Sequence, residues 1–149
     1  MNEDSKFYIG IKALIINEKN EILLLRAGPE ERKHTKIDFW DLPGGRIKAN
    51  HDIENTLRRE VKEELGISEE DIEIDDIFDA TISNFRKLHG EDISLMLIVY
   101  RCRLPSIKEF RLSDEHSEWR WINIDEAKKL LGIKFAKSFV EKLDKLKNG

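Results

Sequence analysis

The sequence predicts an α+β fold in which a mixed β-sheet lies between helices. Two observations carry this. Strand-like and helix-like periodicities follow one another as two strands, a loop, a helix, several strands and two helices. The two helical regions are separated by strands, an order that suits a mixed sheet covered on both faces. The length, 149 residues, fits one domain spanning 1–149 with a sizeable core.

Each element has its own signal. FYIGIKALIIN (7–17) and EILLLR (21–26) are strand-like runs joined by the turn NEKN, so a hairpin is expected. AGPEERKHTKID (27–38) reads as a long polar loop, and such loops are often functional. FWDLPGG then narrows to a Pro-Gly-Gly turn. From 52 to 65 the pattern is helical: Ile53, Leu57, Val61 and Leu65 make one apolar stripe, and Gly66 is a stop signal. Two strand-like pieces follow, IEIDDIFDA and TISNF. ISLMLIVYRCRL is the most strand-like run and is expected to be a buried central strand. WRWIN reads as a short strand; Trp119 and Trp121 are expected on opposite sides, with Trp121 toward the core. DEAKKLL begins a helix at Asp125. A last helix puts Phe135, Phe139, Leu143 and Leu146 on one face.

Composition narrows the function classes. Net charge is −4, which disfavours a binder of nucleic-acid polymers, whose footprint is basic. A nucleotide ligand stays open, because a local cation inverts the field of an acidic site. The lone cysteine, Cys102, allows no intrachain disulfide and no cysteine metal cluster, and it reads as core packing. The polar start MNEDSKFY is unlike a signal peptide, and no apolar run is long enough to span a membrane. A cytoplasmic protein is expected.

The charge pattern at 59–64 calls for chemistry. Glu60, Glu63 and Glu64 stand three and four apart, so on a helix they are neighbours that repel one another. One reading is a solvated charged face. The other is a site for a hard cation such as Mg²⁺ or Mn²⁺, which takes carboxylates, waters and substrate phosphates. Gly44 and Gly45 favour the second. Glycines let a backbone come close to a ligand or metal, and the turn can aim a carbonyl oxygen at the same cation.

Gly45, Arg59, Glu60, Val61, Glu63, Glu64, Gly66 and Ile67 stand at the spacing of the Nudix box. The pattern is Gly, five residues, Glu, seven residues, then Arg-Glu-U-x-Glu-Glu-x-Gly-U, where U is bulky and aliphatic. The chain closely resembles the Nudix hydrolases (MutT-like) over 45–67, with one departure: His51 holds the position of the first box Glu. The LLLR strand end, the LPGG turn and EWRWINIDEA match more loosely. The resemblance implies an α/β/α sandwich and hydrolysis of a nucleoside diphosphate linked to another moiety, with Mg²⁺ or Mn²⁺. It makes Glu63 and Glu64 metal ligands, Glu60 a further ligand or the base that activates water, and Arg59 the group that orients it. The same resemblance implies the Gly44 carbonyl as a further donor to the metal shell.

Family members often draw a further acid from a distant loop. SDEHSEW offers Asp114, Glu115 and Glu118, and Glu115 is the expected ligand, with His116 as a substrate contact, plain polar surface or a satisfied core residue. Arg26 and Arg46 are candidate phosphate clamps. Trp40 and Phe85 are candidate stacking partners for a base. The downstream proline associated with ADP-ribose hydrolases and the NADH-type motif are both absent. That leaves a nucleoside triphosphate, cleaved to monophosphate and pyrophosphate, as the expected substrate. Alternatives are a sugar- or dinucleotide-linked diphosphate, or a nucleotide-binding module with little turnover, which His51 keeps open. The expected partner is a small-molecule nucleotide; a homodimer is possible.

Overall fold

The computed structural model describes residues 4–85, 92–105 and 109–148. Strands β1 (Phe7–Ile15) and β2 (Glu21–Ala27) come first, then helix α1 (Pro29–Thr35). Two short strands, β3 (Trp40–Asp41) and β4 (Gly44–Arg46), lead to helix α2 (Ile53–Leu65). Strands β5 (Glu73–Ile82), β6 (Ser94–Arg103) and β7 (His116–Asn123) follow. Helices α3 (Ile124–Leu131) and α4 (Lys137–Lys142) close the chain, with a 3₁₀ turn at Leu143–Asn148.

Among the described residues the strands form two sheets, ordered β4-β1-β6-β5 and β3-β2-β7. β1 runs parallel to β6 and antiparallel to β4, so the first sheet is mixed. The expected hairpin is therefore only a corner. Ile16 bridges to Ile22 and the Asn17 amide donates to the Glu21 carbonyl, but beyond that point β1 and β2 part into different sheets. The cause is visible in the side chains. Ile11, Ala13 and Ile15 enter one core cluster and Leu14 the other; Leu23 and Leu25 enter one, Ile22 and Leu24 the other. Strands apolar on both faces are central strands, covered above and below.

α2 covers one face, with Leu57, Val61 and Leu65 fully buried, while Ile53 is exposed at 37% and leaves the expected stripe. Asp52 caps this helix by accepting from the Asn55 amide, and Gly66 ends it in the left-handed region. α3, α4 and the final turn cover the opposite face, where Phe135, Phe139, Leu143 and Leu146 pack together as expected. This is an α/β/α sandwich.

Other expectations need correction. The long polar loop contains α1, begun by Pro29, with Glu30 and Glu31 in its first turn and basic residues in its last, an arrangement that suits the helix dipole. The two strand pieces after α2 are one strand, β5, whose register slips at Ile77 and Asp79. β6 is central, but it buries alternate residues more deeply than their neighbours. Trp119 and Trp121 lie on the same side, both beside Phe110, because residues two apart in a strand share a face. Cys102 is buried, and burial pushes its thiol up to about 12, so it is inert packing.

One feature of the core is charged. Lys12 projects from β1 and Asp41 from β3, and their ion pair (3.1 Å) crosses from one sheet to the other. Lys134, between α3 and α4, reaches the same Asp41 oxygen at 2.5 Å. All three are at most 7% exposed. Burial opposes the Asp41 charge, but Lys12 and Lys134 outweigh it and hold the carboxyl well below its usual range. Removing the shared acid strands two ammonium groups. Asp41→Asn is expected to destabilise the fold by about 3–5 kcal/mol, measured by urea unfolding; a change below about 1 kcal/mol would show that the cluster is solvated.

Candidate functional site

The site lies where the two sheets have parted. Glu64 is the inward-facing acid of α2, 2% exposed, and its Oε2 accepts from the Gly44 amide at 2.9 Å. Gly44 is required there: its φ is +147°, and a Cβ would stand 2.0 Å from the Ile11 carbonyl oxygen. At Gly45 a Cβ would meet the Glu60 carboxylate at 2.5–2.6 Å, so the bare backbone makes room for that acid. Glu60 is half-buried, and Arg59 lies beside it at 3.4 Å. Glu63 is exposed, 3.9 Å from the Arg59 Nε.

A second chain segment brings the rest. The turn before β7 carries Glu115, β7 begins with His116, and the Gly28 amide donates to the Glu115 carbonyl at 2.9 Å. Ligand atoms of Glu64, Glu115 and His116 all lie within 4.8 Å of one another. The donor chemistry suits a divalent cation: two carboxylates and one imidazole converge, with Glu60 and Glu63 close enough to influence Glu115. The His116 Nδ1 is buried and meets no hydrogen-bond partner among the described residues. Such a group is expected to find a ligand or a water.

Electrostatics agree with that fit. Burial pushes Glu64 up to about 8, against the pull of Lys12 and the Gly44 hydrogen bond. Glu115 is raised by burial and then by the Glu60 charge. Burial lowers His116 to about 4, leaving a neutral imidazole able to donate a lone pair at neutral pH.

The other expected substrate contacts sit in differing surroundings. Arg26 is engaged by both oxygens of Asp38, at 3.0 and 2.6 Å, and by Glu118 at 3.4 Å. Arg46 is exposed and lies over the Tyr8 ring at 4.3 Å. Trp40 is half-buried against the core, with Arg120 over its ring at 5.6 Å. Phe85 meets Phe39 edge-on at 4.9 Å. His51 is exposed, and its amide donates to the Lys48 carbonyl while Asp52, not His51, caps α2. Sequence reasoning missed Lys12, Asp41 and Lys134. The signal was present in one place: Lys12 interrupts the apolar run of β1.

A helix bearing a buried acid is set against a glycine turn in an α/β/α sandwich, with Glu115 and His116 beside that acid. The comparisons make this specific. A family model described as NUDIX domain matches residues 6–143, and the chain belongs to that family. An 8-oxo-dGTP diphosphatase of Buchnera aphidicola is 37% identical over 60 residues, 40% of this chain and 44% of that protein. The Escherichia coli nucleoside triphosphatase NudI is 30% identical over 93 residues, 58% of this chain and 63% of that protein. The match thus spans less than two thirds of either relative. The MutT protein from Methanosarcina mazei is 29% identical with a TM-score of 0.72, over 99% of this chain and 97% of that one. An Ap4A hydrolase from C. elegans shares the fold at 22% identity and a TM-score of 0.69, covering 97% and 98%.

A pH dependence follows from Glu64. Below about 8 its carboxyl holds a proton in the metal-free protein, and a cation can bind that oxygen only by releasing it. Divalent-ion affinity is therefore expected to rise about tenfold per pH unit below that value and then level off. Calorimetric titration across pH checks this, and Glu64→Gln is expected to remove the slope. An unchanged slope in the variant would assign the proton elsewhere.

Proposed function

We propose that the protein is a divalent-cation-dependent pyrophosphohydrolase acting on a nucleoside diphosphate linked to another group. Its most direct substrate is a nucleoside triphosphate, cleaved to monophosphate and pyrophosphate. The observation that carries this reading is the meeting of Glu64 with Glu115 and His116, residues remote in sequence, beside the acids of the box. The relatives named as a diphosphatase and a nucleoside triphosphatase support the substrate class.

Glu60, Glu63, Glu64 and Glu115 would hold Mg²⁺ or Mn²⁺, with the Gly44 carbonyl as a further donor. A cation bound there would neutralise phosphate charge and acidify a water. The chain does the remaining work. A carboxylate of the Glu60–Glu64 group takes the proton of the attacking water. Arg59, 3.4 Å from Glu60 and 3.9 Å from Glu63, sets the position of those acids. Arg46 is exposed and available to a phosphate, whereas Arg26 reaches one only by leaving Asp38. Trp40 and Phe85 are the aromatic candidates near the base.

His51 favours a second reading, a nucleotide-binding module with little turnover, because a carboxylate is missing from the box. Its exposure beside the Asp52 cap supports an ordinary place at the helix start instead. A cytoplasmic setting and a small-molecule nucleotide partner belong to the same proposal; a homodimer is checked by sedimentation.

The test is a nucleotide panel with Mg²⁺ or Mn²⁺, assayed with and without inorganic pyrophosphatase. Pyrophosphate release from a triphosphate is expected, with Glu64→Gln slower by about a hundredfold or more and His51→Glu as active as the native chain or more so. Binding without cleavage across the panel would leave the module reading in place.

A further inference from the structure

The segment that carries Glu115 and His116 is fastened at both ends. At one end the Arg111 amide donates to the Leu65 carbonyl at 2.9 Å, and the Ser113 amide to the Glu64 carbonyl at 3.3 Å, so the segment is tied to the last turn of α2. At the other end it lies against β2. The Gly28 amide donates to the Glu115 carbonyl, and a Cβ on Gly28 would stand 2.7 Å from that oxygen and 2.9 Å from the Asp114 carbonyl oxygen. Only a bare backbone allows that approach.

The entry into β7 is bulged. Arg26 stands opposite Glu118, yet Ala27 stands opposite His116, so β7 carries one more residue than β2 across this step. That residue is Ser117, which an unbroken register would have set opposite Ala27. Bulges next to active sites re-aim side chains. Beyond this one, a ring nitrogen of His116 lies within 4.8 Å of carboxylate oxygens of Glu64 and Glu115. The His116 Nδ1 is buried, and no group among the described residues uses it. A purely structural imidazole would spend that nitrogen on a hydrogen bond. The nearby box acids differ in kind: Glu63 is exposed, Glu60 rests over Gly45, and both present oxygen alone.

We propose that His116 is a nitrogen ligand that makes the Glu64–Glu115 position selective for Co²⁺ or Zn²⁺ over Mg²⁺, leaving the box acids as an all-oxygen position for Mg²⁺. This rests on the proposed reading as a cation-dependent hydrolase. Mg²⁺ takes oxygen donors and gives up its waters reluctantly. Imidazole suits the later first-row ions, whose affinity for a given nitrogen and oxygen set rises along the series. A set of one nitrogen and two carboxylates therefore separates the two classes of ion more sharply than carboxylates alone.

The test uses metal alone, without nucleotide. X-ray absorption of the wild-type protein with one equivalent of Zn²⁺ is expected to show imidazole scattering around the metal, and His116→Asn is expected to lose it. Calorimetric titration is expected to show Zn²⁺ and Co²⁺ binding weakened by about a hundredfold in His116→Asn, with Mg²⁺ binding changed by no more than about twofold. If Zn²⁺ binds through the imidazole and no nucleotide is cleaved, the hydrolase reading fails while the assignment of His116 stands. The proposal is overturned if the wild-type protein binds Zn²⁺ no more tightly than Mg²⁺ or without imidazole scattering, neither of which needs a variant to fold. It is equally overturned if the scattering survives in His116→Asn, or if Zn²⁺ and Mg²⁺ affinities fall together.

Discussion

The Lys12–Asp41 ion pair spans the gap on which this molecule is organised. β1 and β2 meet at Ile16 and Ile22 and then separate into different sheets. A split between strands exposes backbone and side chains that a continuous sheet would have covered. Apolar packing closes it near the corner. Farther out a charged pair closes it, and that end is where Glu64, Gly44 and His116 gather. A buried ion pair is weak evidence of net stability, since desolvation offsets much of the attraction. Its contribution here is geometric: it sets the distance between the sheets at a place that has to stay polar.

The same location explains why the acids differ in character although they lie on one helix. Glu63 points to solvent, Glu60 rests over the bare backbone of Gly45, and Glu64 is enclosed. Helical spacing turns three adjacent carboxylates toward one side but at different depths. Burial raises the enclosed Glu64 to about 8. A cation drawn to this group, as proposed, would meet one carboxyl that must first lose a proton. The neutral His116 would add a ligand without adding repulsion.

Much of this was legible in order but not in depth. The helix with its Gly66 stop, the glycine turn, the apolar face of the final helix and the box acids could all be read from spacing. Local periodicity reports which side of an element is apolar, and that is enough for those features. It does not report which partner a strand chooses, so the hairpin was expected where a corner exists. The polar loop hid a short helix, because α1 buries no residue and therefore has no apolar stripe to read. The opposite-sides expectation for Trp119 and Trp121 ran against strand geometry, and the shared contact with Phe110 corrects it.

The sequence by itself determined the family frame: Gly45, Arg59, Glu60, Glu63, Glu64 and Gly66 at fixed intervals, with His51 as the departure. Those intervals are short, and a turn and a helix convert them directly into geometry. Only the tertiary structure decided that Glu115 and His116 join Glu64, that Arg26 is engaged by Asp38 and Glu118, and that Lys12, Asp41 and Lys134 form one buried cluster. Lys12 and Lys134 lie on different elements and are joined only through Asp41 on a third. No local pattern records such a meeting; it arises when the sheets part and the α3–α4 connection folds back over the gap.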